Sequence, residues 1–155
     1  MEKLQHAINI SAPNLVNVCV DEGQDGEISG RLYHCYQEEP LQFSNLVQIL
    51  RFMEELFDEI QFPQASTQTR SFFTREGQSQ ERKPKAVDQT DIIRHTGHKG
   101  TFIITVRFRQ NSTWQGELFW MEREEKQNFS STLDLIKILD GDMTVTGMET
   151  EAVNA

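Results

Sequence analysis

The stretch from Lys99 to Asp140, KGTFIITVRFRQNSTWQGELFWMEREEKQNFSSTLDLIKILD, changes its hydrophobic period along its length. Phe102, Ile104, Val106 and Phe108 alternate with Ile103, Thr105, Arg107 and Arg109, the two-residue period of a strand whose side chains point to opposite faces. Asn111-Ser112 marks a turn. A second strand follows, with Trp114, Gly116, Leu118 and Trp120 on one face and Gln115, Glu117, Phe119 and Met121 on the other. After a polar connection the period becomes helical. Leu133, Ile136 and Leu139, with Leu135 and Ile138 as further candidates, pack inward from a helix that starts near Ser130 or Ser131, carries Asp134 in its first turn and closes at Gly141.

The same order of elements occurs 86 positions earlier. Gly116, Leu118, Glu124, Glu125, Phe129 and Ser130 fall without a gap on Gly30, Leu32, Glu38, Glu39, Phe43 and Ser44. Val16, Val18 and Val20 match Phe102, Ile104 and Val106. In this earlier half a strand over Leu15–Val20 leads to an Asp25-Gly26 turn, and a second strand runs from about Glu27 to Gln37. Glu38-Glu39-Pro40 stops it, because proline cannot donate to a ladder. A helix follows from Ser44, its cap, to Ile60, with Leu46, Val47, Leu50, Met53, Phe57 and Ile60 at three- and four-residue steps. Pro63 ends it.

A two-stranded ribbon with one helix can hardly bury its apolar face alone. The expectation is therefore α+β: two ββα repeats forming a four-stranded antiparallel sheet, with two helices on one face and a pseudo-two-fold axis between the halves. Residues 1–155 form a single domain, with repeats over 15–60 and 99–141. A polar arm precedes them at 1–13, a weakly basic linker joins them at 61–98, and an acidic tail follows at 142–155. A structureless connection as long as 61–98 is uncommon within a domain, and Phe72-Phe73 offers one point at which it could be anchored.

Net charge −9 over 155 residues argues against general affinity for nucleic acid or membrane surfaces. Residues 64–99 depart from it, with seven Lys/Arg against four Asp/Glu, so +3 there leaves −12 elsewhere. No apolar run is long enough to span a bilayer, and the N-terminus does not read as a secretion signal. Cys19 and Cys35 are too few for a disulfide framework and read as buried thiols in a reducing cytoplasm.

The sheet face away from the helices carries Tyr33, Cys35, Ile103, Phe119 and Met121 interleaved with Arg31, Arg107, Arg109 and Glu117. So much apolar area beside charge wants a cover. A second subunit is the simplest one, since isologous dimers are the commonest soluble oligomers. Tyr33, Ile103, Arg107, Arg109, Phe119 and Met121 are accordingly the candidate interface, with a homodimer or another protein as the partner. Arg107 and Arg109 could clamp an anion, but pairing with Glu117 across the strands is the plainer role. The alternative function is nucleic-acid or phosphate-ligand binding through the basic segment, with Arg82, Lys83, Lys85, Arg94 and Lys99 as contacts alongside Arg107 and Arg109. The order of the linker separates the two readings: folded over the open face, it makes that face core.

No catalytic chemistry emerges. His34 and Cys35 are strand neighbours that point to opposite faces, and His95-x-x-His98 lacks the further ligands a metal needs. Asp21, Gly23, Asp25 and Glu27 alternate like a calcium loop, yet the glycine and the closing glutamate are out of register. There is no nucleophile elbow, P-loop or dinucleotide fingerprint. The expectation is a cytoplasmic, non-enzymatic binding protein with no cofactor, catalytic residue or metal ligand.

GTFIITVRFRQNSTWQGELFW, with NFSSTLDLIKILD after it and LVQILRFMEELFDEIQFPQAS in the first half, resembles a group of small, uncharacterised proteins from Firmicutes. The resemblance implies a genuine folded unit in the second half and brings no activity, cofactor or site residue.

Overall fold

The computed structural model describes residues 8–24, 27–63, 84–110 and 113–144. Six strands form one antiparallel sheet: β1 (Val16–Gln24), β2 (Glu27–His34), β3 (Leu41–Phe43), β4 (Gly100–Gln110), β5 (Thr113–Trp120) and β6 (Glu125–Phe129), in the order β3-β2-β1-β4-β5-β6. The helices are α1 (Leu46–Ile60), the short α2 (Gln89–Ile92) and α3 (Thr132–Thr144). This overturns the expected four-stranded sheet of two ββα units. Each half brings three strands, and a third helix lies between the halves. The extra strands are edge strands, whose outer sides are free to be polar. In β6, Glu-Lys-Gln-Asn-Phe, only Phe129 is buried, and β3 has three residues of which only Phe43 is buried. Neither shows an alternation long enough to read.

The ladders keep the 86-residue spacing throughout. In β1–β2 Val16 pairs with His34, Val18 with Leu32 and Val20 with Gly30, and in β4–β5 Phe102 pairs with Trp120, Ile104 with Leu118 and Val106 with Gly116. Gly30 meets Phe43 in β3 as Gly116 meets Phe129 in β6. Both hairpins slip register at matching places, between Val20 and Glu22 and between Val106 and Phe108. These bulges explain the paired glycines. A Cβ on Gly30 would lie 1.9 Å from the Cys19 carbonyl oxygen, and one on Gly116 would lie 2.1 Å from that of Thr105. Only glycine admits so close a backbone.

The helix starts correspond as well. Asn45, not Ser44, caps α1: its Oδ1 accepts from Gln48 N at 2.9 Å, while Ser44 N and Oγ donate to Gln48 Oε1. At α3, Ser131 Oγ accepts from Asp134 N at 3.0 Å, and Ser130 N and Oγ donate to Asp134 Oδ2. Each end thus satisfies donors that the helix cannot. Gly141 does not close α3, which continues to Thr144.

The helix-side core is built on Val16, Val18, Leu32, Phe102, Ile104 and Leu118, all completely or nearly completely buried. Into it α1 sends Ile49, Met53, Leu56, Phe57 and Ile60, and α3 sends Leu135 and Leu139. Phe57 meets Trp114 edge-on, with ring centroids 5.4 Å apart. Trp114 and Trp120 are both buried, as their alternation with Leu118 predicts. Among the described residues no helix is long and apolar enough to cross a membrane.

Candidate ligand cleft

The second sheet face is not open. Between Pro84 and Lys99 the chain folds back over β1 and β2. Ala86 N and Val87 N donate to the Cys35 carbonyl at 2.7 and 3.0 Å, Asn17 Nδ2 donates to Ile92 O at 2.8 Å and His95 O at 2.9 Å, and Lys99 N donates to Val20 O at 2.7 Å. The stretch read as a weakly basic linker is therefore partly a cover, with α2 at its centre; residues 64–83, which include Phe72, Phe73, Arg82 and Lys83, lie outside the described residues. The Asp25-Gly26 and Asn111-Ser112 turns also lie outside them.

The cover closes on an ion pair. Arg31 grips Asp21 through Nε (3.0 Å) and Nη2 (3.1 Å), while Nη1 reaches Tyr33 Oη and Nη2 the Thr96 carbonyl, each at 2.8 Å. Asp21 Oδ1 also accepts from His98 N at 3.1 Å. Burial raises the Asp21 carboxyl, but the Arg31 guanidinium and the His98 N–H outweigh it and hold it below the ordinary carboxylate range. The pairing with Asp21 raises Arg31 in turn. His95 stacks flat on Tyr33, with centroids 3.8 Å apart. Its partial burial, and next the nearby Arg31 charge, lower its pKa and favour the neutral ring. The turn at residues 95–98 thus presents a carbonyl to the arginine and an N–H to the carboxylate. Gly97 lets it approach, because a Cβ there would lie 2.5 Å from both the N and O of Val20.

The other half carries the same construction with its chemistry changed. At the 86-residue spacing, Asp21 corresponds to Arg107 and Arg31 to Glu117, so the charges are exchanged. Arg107 Nη1 bonds Glu117 Oε2 across the strands, and Lys126 Nζ stands 3.8 Å from the same oxygen. The corresponding cover is the N-terminal segment, in which Ser11 stands for Gly97 and Pro13 for Lys99. Pro13 has no N–H to give Val106 O, and Asn14 supplies one instead, Nδ2 to O at 2.8 Å. The Ala12 N–H is turned inward to Asn9 O at 3.1 Å. Gln89 Nε2 donates to the Ala12 carbonyl and ties the two covers together. Ile8 and Ala12 are buried, so the described part of the expected arm packs on the body.

Where the second cover fails to close there is a cleft of about 450 Å³. Its apolar lining is Ile8, Ala12, Pro13, Phe62 and Val106, and its polar lining is Asn9, Asn14, Thr105, Arg107 and Glu117. Arg107 is half-exposed at 54% of its side chain, whereas Glu117 is mostly covered.

Of the candidate interface residues, Tyr33, Ile103 and Phe119 are buried beneath the chain's own residues, and Met121 is partly buried. Among the described residues, Tyr33, Ile103 and Phe119 therefore present almost no free surface. Arg109 does not share a face with Arg107. The bulge between Val106 and Phe108 turns it to the helix side, where it is 4% exposed and bonds Pro63 O, Glu54 and Asp58 at 2.7, 3.2 and 2.8 Å. Only Arg107 of the two reaches the cleft. Lys85, Arg94 and Lys99 are exposed; Lys85 bonds Gln89 at 3.3 Å and Arg94 pairs with Asp91 at 3.6 Å. No three metal-ligating side chains cluster among the described residues. Reading the chain for strands and helices missed Ile8, Pro13, Asn14 and Phe62. The 86-residue offset, carried back to residues 1–14, would have shown the Ser11/Gly97 and Pro13/Lys99 mismatches. No protein-family model, curated protein or solved structure matches this chain.

Proposed function

We propose that this protein is a non-enzymatic binding module whose ligand occupies the cleft between residues 8–14 and the β4–β5 hairpin. The observation that carries this reading is the difference between the two ion pairs. Asp21–Arg31 is capped by backbone from its own chain, whereas Arg107–Glu117 stands beside an apolar-walled cleft. Ligand sites typically combine an apolar wall with a few polar groups that fix orientation. Catalysis by the cysteines is disfavoured, since burial pushes the Cys19 thiol up to about 12 and raises that of Cys35, so neither is poised as a thiolate. Two free, buried thiols also fit a cytoplasmic location.

The test is a ¹H–¹⁵N correlation titration with isobutyramide, which pairs a branched apolar group with one donor–acceptor head. Saturable shifts confined to the amides of residues 8–12, Asn14, Thr105–Arg107 and Glu117 are expected. Shifts spread elsewhere, or none at all, would overturn the reading.

A further inference from the structure

The exchange of charge between the halves specifies the ligand as well as the site. In the first half the 95–98 turn runs from Arg31 on β2 toward Asp21 on β1, its Thr96 carbonyl at the guanidinium and its His98 N–H at the carboxylate. At the equivalent places in the second half the strand partners are reversed, with the guanidinium of Arg107 on β4 and the carboxylate of Glu117 on β5. A backbone segment laid there in the sense of the 95–98 turn would point a carbonyl at Glu117 and an N–H at Arg107. Both contacts are repulsive. A segment running the other way, from β4 toward β5, matches both charges. We infer that the cleft takes a short extended peptide segment of a partner protein, running opposite to the 95–98 turn and placing one apolar side chain against Pro13 and Phe62.

Three features support a peptide as the occupant. The corresponding surface of the same fold already holds peptide backbone through an ion pair. The charged groups in the lining are one cation and one anion, the complement of a carbonyl and an N–H two residues apart. The cleft, at about 450 Å³, has room for a short stretch of backbone together with one branched or aromatic side chain against its apolar lining. Residues 8–14 do not repeat the closure of the 95–99 segment: Ser11 carries a Cβ at the position of Gly97, where a Cβ would lie 2.5 Å from the Val20 backbone, and Pro13 lacks the N–H that Lys99 gives Val20 O.

The inference rests on the cleft being a ligand site, and the experiment separates the two. The probe is the blocked tripeptide N-acetyl-Gly-Leu-Gly-amide, titrated beside isobutyramide and followed by amide shifts. The tripeptide is expected to saturate the cleft. Methylating the amide nitrogen two residues after the carbonyl that meets Arg107 should weaken it about tenfold, the loss of one charge-assisted hydrogen bond. The double variant Arg107→Glu/Glu117→Arg restores the first half's polarity without changing composition. It should lose the tripeptide about tenfold or more while its amide spectrum stays that of the folded chain. Binding of isobutyramide without the tripeptide overturns the peptide inference and leaves the cleft reading standing. If neither binds, both fall. Tripeptide binding that ignores the methyl group and the charge exchange also overturns the inference, because binding would then not depend on the direction of the backbone.

Discussion

Asn17 lies directly opposite Ile103, its own counterpart 86 positions on, in the pairing of β1 with β4. Around this pair the ladder is self-consistent, since Val16 faces Ile104 while Val18 faces Phe102. The sheet is thus two equivalent halves joined at the centre, and the two residues at the joint mark where equivalence ends. Asn17 donates to Ile92 O and His95 O and clamps the first cover, while Ile103 has no polar group with which to do so. That difference, with the exchanged ion pairs, leaves one half closed and the other with a cleft.

Gly30→Ala and Gly116→Ala should both be destabilising, because each Cβ meets a backbone carbonyl that cannot move independently of its strand. Overpacking of this kind typically costs about 1–3 kcal/mol, and both variants should show it in urea unfolding. If only one does, the two bulges are not equivalent in energy.

Asn45→Ala and Ser131→Ala each remove an oxygen that accepts the first-turn N–H of a long helix. The expected loss is about 1 kcal/mol apiece, additive in the double variant because the sites lie in different elements. Chemical denaturation of the three variants checks this.

Stability should fall as pH drops below the ordinary histidine range. His95 stacks on Tyr33 near Arg31, and its folded pKa is lowered from 6.5. Between the unfolded and folded values the unfolded chain binds more protons, so stability is full above pH 6.5 and declines as pH falls through that window. His95→Gln should flatten the decline. Asp21 adds a second one at lower pH. Its folded pKa lies below 3.8, so its contribution is present above that value and disappears as the carboxylate protonates.

Cys19 and Cys35 should both resist a thiol reagent at pH 8 in the native protein and react promptly in denaturant, since both are fully buried and burial raises their pKa values. Rapid labelling of the folded protein would show that the 84–99 cover opens readily.

The strand and helix periods of residues 99–140 could be read because those elements are half-buried, with a wet side and a dry side. The α1 helix was legible for the same reason. β3 and β6 were not, since edge strands carry polar residues on their free sides and these two are short. The bulges left no mark on the alternation either, so Arg109 read as a neighbour of Arg107 although it faces the helices. Tyr33, Ile103 and Phe119 read as an exposed patch because the segments that cover them are polar in composition. What seats the first cover is backbone hydrogen bonding to Asn17, Arg31 and Asp21, which hydrophobic periodicity does not reveal. The cleft was legible only as a set of mismatches between the halves.

The most direct measurement gives the second half the chemistry of the first. In the variant Ser11→Gly/Pro13→Lys/Arg107→Asp/Glu117→Arg, the N-terminal segment regains the glycine, the backbone N–H and the charge order with which residues 95–99 close over Asp21–Arg31. The variant should fold, its N-terminal segment should close over the new ion pair, and isobutyramide should no longer shift the cleft amides. A folded variant that binds isobutyramide as the natural chain does would contradict the account.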